Sequence, residues 1–298
     1  MSETFVNGVK SVPDYFACNV FNEETMKTTI STDVLSAAVA AVRSQRPLVH
    51  NITNYVVMNN SANALLALGA SPVMAHWKDE MEEMTAIAGA LVINIGTLDR
   101  EWIEGMKAAG AAASRRGTPI VLDPVGAGAT SQRTDTAVEL IELCRPTIIR
   151  GNGSEIMTVA SAWSKHLGSS EQEGTESAKS KGVDSSASST DAVEAAKRLA
   201  RESGAVVVIS GETDYITDGS VVHTVEGGDP IMTSVTGMGC TATALTGAFA
   251  AVCKDPMTAA VAAMAVMSAA GEKAAAQASG NGSMQMHFLD ELYNLTEL

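Results

Sequence analysis

The sequence predicts an α/β fold: a central, mostly parallel sheet covered by helices on both faces. Three observations predict it. Short apolar runs recur, at PLVH (47–50), SPVMA (71–75), ALVINIG (90–96), PIVLDP (119–124), TIIRG (147–151) and AVVVISG (205–211). Helix-like segments such as NNSANALLALGA and DREWIEGMKAAGAAASRRG separate most of them. The runs are continuously apolar, as in strands buried on both faces, and strand–helix alternation implies right-handed crossovers.

Composition is consistent with this. A chain of 298 residues with 46% hydrophobic residues can bury a large core. Aromatics are only 4%, so Ala, Val, Ile, Leu and Met must build the interior. The net charge is −14 and no Lys/Arg run occurs, which argues against a nucleic-acid partner. An anionic ligand must therefore be held locally, by backbone N–H groups, a few cations or a metal.

The four cysteines, at 18, 144, 240 and 253, form no C-x-x-C pair, which points to a reducing compartment. The N-terminal segment lacks a signal pattern, and the weakly polar run MTAAVAAMAVMSAAG (257–271) is too short to span a bilayer. The expectation is a soluble cytoplasmic protein with no membrane partner.

Along the chain, residues 1–30 have little periodicity and read as a poorly ordered extension. Residues 31–298 read as a single domain. Ten of the thirty residues in 161–190 are Ser, so that stretch reads as a surface insertion. YITDGSVVHTV (215–225) reads as a hairpin around Asp218-Gly219. The rest is mostly helical.

In an open parallel sheet, ligands bind beyond the carboxyl ends of the strands. Here those ends carry His50-Asn51, Met74, Gly96-Thr97, Asp123-Pro124, Arg150-Gly151-Asn152 and Ser210-Gly211-Glu212. Asp123 can hold Mg²⁺ directly or through water, or serve as a turn residue before proline. Arg150 suits a phosphate. Asn152 and Glu155 are spaced as a capping box, and Glu155 can also face the metal beside Asp123. In HNITN (50–54), His50 reads as a hydrogen-bonded histidine, because no second His lies at ligand spacing. Asn54 reads as a helix cap or a contact to a small polar ligand.

VTGMGCTA (235–242) is the strongest local signal. Gly237 and Gly239 before an apolar helix let the chain approach a ligand, and free N–H groups there favour an anion. The spelling fits a dinucleotide fingerprint, but no strand leads into it and no βαβ unit surrounds it. A P-loop is absent. Cys240, at the helix start, is expected to have a lowered thiol pKa. Its alternative is packing as a small apolar residue.

Together these segments resemble the hydroxyethylthiazole kinases of thiamine biosynthesis, members of the ribokinase-like fold. The resemblance runs through PLVHNITNYVVMNNSANALLALGASPVMA, ALVINIGTL, PIVLDPVGAGAT, IIRGNGSEIM, VVVISGETDYITDG, GGDPIMTSVTGMGC and GSMQMHFLDEL, over about residues 34–297. It implies transfer of the γ-phosphoryl group of ATP to the primary alcohol of 4-methyl-5-(2-hydroxyethyl)thiazole, with Mg²⁺. It implies Asn54, Met74 and Gly237 at the thiazole site, Arg150 and Ser210 at ATP, and Asp123 and Glu155 near Mg²⁺. Cys240, with Gly239 before it, stands where sugar kinases of the same fold carry a catalytic Asp. A homotrimer with the thiazole pocket at the subunit interface is also implied. Met238, where the family places a small residue or Thr, is expected to reshape the anion hole. The competing readings are a hydroxymethylpyrimidine or sugar kinase of the same fold, or an ATP/ADP-dependent nicotinamide-nucleotide hydrate dehydratase.

Overall fold

The computed structural model describes residues 30–169 and 186–296. The six predicted strands form, as β1 (Leu48–Ile52), β2 (Ser71–Val73), β3 (Ala90–Asn94), β4 (Ile120–Asp123), β5 (Ile148–Asn152) and β6 (Val206–Ser210). The expected hairpin supplies β7 (Thr213–Thr217) and β8 (Val222–Glu226). At its turn, the Asp218 carboxylate accepts the N–H groups of Ser220 and Val221, and Gly219 takes a left-handed φ of 95°.

The strands form one sheet in the order β2-β1-β3-β4-β5-β6-β7-β8. Pairings from β2 through β6 are parallel; β7 and β8 close one edge antiparallel. Helices cover both faces. α1 (Thr32–Gln45), α2 (Met58–Leu68), α8 (Met238–Val252), α9 (Pro256–Ala275) and α10 (Asn281–Asn294) share one core with Val49, Val92, Val121 and Ile148. α3 (Met81–Ile87), α4 (Arg100–Arg116), α5 (Ser131–Cys144), α6 (Gly153–His166) and α7 (Ser186–Ser203) cover Ile52, Leu91, Ile93, Leu122 and Ile149 on the other. Adjacent strand residues alternate between these cores, so every strand must be apolar on both sides.

Two features position the site. The chain leaves β1 for β2 on one side and returns to β3 on the other, with α2 and α3 on opposite faces. This makes the β1/β3 gap a topological switch point. The second is α8, which is mostly apolar and buried from Thr241 to Ala250. A Cβ at its Gly247 would collide with Val92, so the helix lies hard against the sheet centre. Its N-terminus is thereby held over the carboxyl ends of the central strands.

The extension read at 1–30 lies outside the described residues, residue 30 apart. Of the stretch read as an insertion, 161–166 belong to α6 and 186–190 to α7, while 170–185 lie outside the described residues. Trp163 explains the first difference: it is buried and extends the apolar face of α6 past Ser161. No described helix is long and apolar enough to cross a membrane.

Candidate active site

α8 opens without a side-chain cap. Thr241 N–H already bonds the Gly237 carbonyl at 2.8 Å, so the preceding N–H groups, of Met238, Gly239 and Cys240, form the open end. Gly237 takes φ 85°, and a Cβ there would lie 2.7 Å from Val57 Cγ1. This glycine is required by conformation and by space. Gly239 is different. It is exposed, its φ is ordinary, and the nearest atom to an added Cβ is Arg150 Nη1 at 3.8 Å. The fold does not demand glycine at 239, and the space beside it leaves the open N–H groups approachable.

Met238 is the first residue of α8 and is half-buried. It packs against the α8–α10 core and lines a small cavity with Asn60, Val235, Thr236, Thr241, Gln285, Phe288 and Leu289. These contacts lie toward α10.

Below α8, β4 and β5 carry the charged groups. Arg150 is buried within β5 and donates through Nη1 to the Gly239 carbonyl (2.9 Å) and to Thr243 Oγ1 (3.2 Å). Its Nε is buried without a partner, and among the described residues no carboxylate forms an ion pair with it. A buried guanidinium with donors in reserve suits an incoming phosphate. Asp123 ends β4. Its Oδ2 accepts from Thr243 Oγ1 at 2.7 Å and from Asn94 Nδ2 at 2.8 Å. Burial pushes its carboxyl up to about 7, against the pull of the Arg150 cation and those two bonds.

Glu155 is the third residue of α6, and the expected capping box forms. The Asn152 side chain accepts Glu155 N–H and the Glu155 carboxylate accepts Asn152 N–H, each at 2.9 Å. The other Glu155 oxygen accepts Gly126 N–H at 2.7 Å, tying the GAGAT loop to β5. Both roles proposed for Glu155 remain open, because each oxygen keeps a second lone pair. No group of three or more His, Cys, Asp or Glu side chains among the described residues could hold a metal alone. Asp123, at the end of β4, and Glu155, in the first turn of α6 after β5, instead fit Mg²⁺ ligated mainly by phosphate and water. Ser210 ends β6 and makes only a long 3.4 Å bond to the Gly151 carbonyl, leaving its hydroxyl available.

At the switch point the groups are neutral. Asn54 Nδ2 donates to Asn94 Oδ1 (2.9 Å) and to Cys240 Sγ (3.4 Å), while Asn54 Oδ1 accepts Val56 N–H (3.1 Å). Asn54 does not cap α2, whose first turn has no side-chain cap. Both its N–H bonds are engaged within the protein, leaving one Oδ1 lone pair for a ligand. Met74 follows β2, at the sheet edge, with its side chain half-buried. His50 lies inside β1, fully buried, with Nε2 2.9 Å from the Ala75 carbonyl; burial holds its pKa down, as befits a structural histidine.

Cys240 corrects one expectation. Burial, then the charge of Asp123, raises its thiol pKa, outweighing Asn94, Asn54 and Arg150. Desolvation is the largest of these influences, and it disfavours the thiolate.

Three residues of the site escaped the sequence reading. Asn94 is the lone amide inside ALVIN, and its polarity in an apolar strand was the available signal. Thr243 lies one turn after Gly239, one of three buried threonines in a mostly apolar helix. Arg133, on α5, donates to the carbonyls of Ile95, Gly96 and Val125 at 2.6–2.8 Å, clamping the loops after β3 and β4 together.

The sequence model of the hydroxyethylthiazole kinase family matches residues 39–298. A protein of Syntrophus aciditrophicus (strain SB) named hydroxyethylthiazole kinase is 56% identical over 261 residues, covering 88% of this chain and 92% of its own. The solved hydroxyethylthiazole kinase structure from Pyrococcus horikoshii OT3 superposes with a TM-score of 0.78 at 41% identity, covering 89% of this chain and 94% of that one. A ribokinase-like superfamily protein from Enterococcus faecalis V583, at 14% identity and a TM-score of 0.60, shares the fold; it covers 89% of this chain and 93% of its own. The ribokinase-like α/β fold is therefore established, and the chain belongs to the hydroxyethylthiazole kinase family.

Proposed function

We propose that this chain transfers the γ-phosphoryl group of ATP to the primary alcohol of 4-methyl-5-(2-hydroxyethyl)thiazole, a step of thiamine biosynthesis or salvage in the cytoplasm. The observation that carries the reading is the open end of α8, with Gly239 kept clear beside the buried Arg150. That arrangement is a cradle for a transferring phosphoryl group. The family membership supports the alcohol.

Phosphoryl transfer depends mainly on placement and charge stabilisation. The O–Pγ bond to the alcohol forms as the bond from Pγ to the ADP oxygen breaks. The N–H groups of Gly239 and Cys240 face the charge on the transferring group. Arg150 and Ser210 contact the triphosphate. Mg²⁺, when bound, would neutralise charge on the phosphates, and Asp123 and Glu155 are the residues that would hold it.

Asn54, Met74 and Gly237 border the thiazole. Cys240 lies beside the attacking hydroxyl. With its pKa raised, it is a neutral thiol that orients the hydroxyl, and the alcohol proton departs late, to an oxygen of the transferred phosphoryl group, as a loose transition state allows. The exposed Tyr55, Val56 and Trp77 lie in the segments following β1 and β2 and support a homotrimer with the pocket at the subunit interface.

The test is ADP release with four acceptors supplied separately: the thiazole alcohol, hydroxymethylpyrimidine, ribose and hydrated NADH. Phosphorylation of the thiazole alcohol above the others is expected. Its absence, with turnover of another acceptor, overturns the assignment. Solution mass tests the trimer.

A further inference from the structure

We propose that Asn94 is a positioning residue for this reaction, holding Asp123 directly and Cys240 through Asn54 in one directed hydrogen-bond chain. The inference rests on the reading of the site as a phosphotransferase centre and deepens it.

The direction of the chain follows from two backbone groups that can only donate. Gly96 N–H donates to Asn94 Oδ1 at 3.0 Å, which fixes that oxygen and turns Nδ2 toward Asp123 Oδ2. Val56 N–H donates to Asn54 Oδ1 and fixes that amide in the same way. Asn54 Nδ2 must then face Asn94 Oδ1, and its remaining hydrogen reaches Cys240 Sγ. The Asn94 amide acts on the sulfur in the same sense. Asn94 is 1% exposed and pairs in register with Asp123 across β3 and β4, so neither group can drift. One side chain thus orients the carboxylate on the metal side and the thiol on the alcohol side. It is buried, and its side chain bonds Asn54 and Asp123, so its effect passes through these neighbours.

The experiment uses the full chain with Asn94→Leu, near-isosteric and unable to hydrogen-bond, alone and combined with Cys240→Ala. Each lost bond is worth roughly a factor of two to ten. The kcat for the thiazole alcohol is expected to fall by about ten- to a hundredfold, with both KM values within about threefold. In the Cys240→Ala background the same substitution should cost at least about threefold less, because the partner of Asn54 is gone. Alkylation of Cys240 by iodoacetamide in the free protein, followed by mass spectrometry, should slow by about threefold or more, since stabilising donors are lost. Cys253 in the same sample is the internal reference.

A kcat equal to wild type, strictly multiplicative losses in the double variant, or unchanged alkylation of Cys240 each overturns the proposal. If Asn94→Leu does not fold, Asn94→Asp serves. It keeps the oxygen that accepts from Gly96 and Asn54 but replaces the donor facing Asp123 with an acceptor. Its kcat should also fall about tenfold, and wild-type kcat there overturns the Asp123 branch. The alkylation measurement needs no substrate, so it stands apart from the identity of the alcohol.

Discussion

Two helices of this molecule begin with the same spelling. α6 starts at the second glycine of Gly151-Asn152-Gly153, and α8 starts one residue earlier in its triplet, at Met238 of Gly237-Met238-Gly239. At α6 the residue flanking the first turn is Asn152 and the third helical residue is Glu155; they engage each other's N–H groups and close the end. At α8 the corresponding residues are Gly237 and Cys240, and no side chain closes anything. The glycines report only that the backbone can turn and come close. The partner three residues on decides whether a helix end is sealed for stability or left open for an anion.

The sharpest way to break this contrast is to fill the opening. Gly239→Val places a side chain where the protein has room and the phosphate does not. Stability should move by no more than about 0.5 kcal/mol. Turnover should fall by about a hundred- to a thousandfold, the scale of a lost transition-state donor. Gly153→Ala is the matching change at α6. Its added Cβ would meet Ala192 Cβ at 3.5 Å, ordinary contact, and activity should persist. Wild-type turnover by Gly239→Val, read beside a normal melting curve, would mean that the phosphoryl group does not pass the α8 entrance.

A second test concerns the carboxylate below that opening. The Asp123 carboxyl is pushed from 3.8 to about 7, so the folded state binds its proton more tightly than the unfolded chain does. That contribution to stability is fully present below pH 3.8 and is lost by about pH 7. An amide has no such proton to lose and can still accept from Asn94 and Thr243. Asp123→Asn should therefore gain stability relative to wild type as pH rises through that window, by on the order of a few kcal/mol, and then level off. Its kinase turnover should be lost. Urea unfolding of both proteins between pH 4.5 and 8.5 checks the sign; parallel curves would sink it. Active sites commonly hold such destabilising groups.

These residues also mark what could be read without coordinates. The strands, the hairpin at Asp218-Gly219, the capping box and the glycine-rich start of α8 were legible, because local period and turn chemistry fix them. So were the positions of Asp123 at the end of β4, Arg150 within β5 and Glu155 in the first turn of α6. Asn94, Thr243 and Arg133 were not. Asn94 bonds a residue 29 positions away, Thr243 one 120 positions away, and Arg133 reaches back 38. Crossovers set those distances, and no periodicity reports them. The Cys240 thiol failed for the same reason. Its position at a helix start is local, but the burial and the Asp123 charge that govern it are tertiary.

The smallest effect tests the sealed end. Asn152 is exposed, and its side chain accepts from Glu155 N–H in its own helix. Asn152→Ala leaves that N–H without its cap and should cost about 1 kcal/mol. In a chain of this size that is a fall in melting temperature of about 2–4 °C. Glu155 keeps its bonds to the backbone N–H groups of Asn152 and Gly126, which the substitution does not touch. Turnover at saturating ATP should therefore stay within about twofold of wild type. A drop beyond tenfold, with the melting shift no larger than a lost cap explains, would show that the α6 end also meets a ligand. The two G-x-G helices would then be two halves of one phosphate cradle, and closure by a side chain would no longer separate a structural helix start from a functional one.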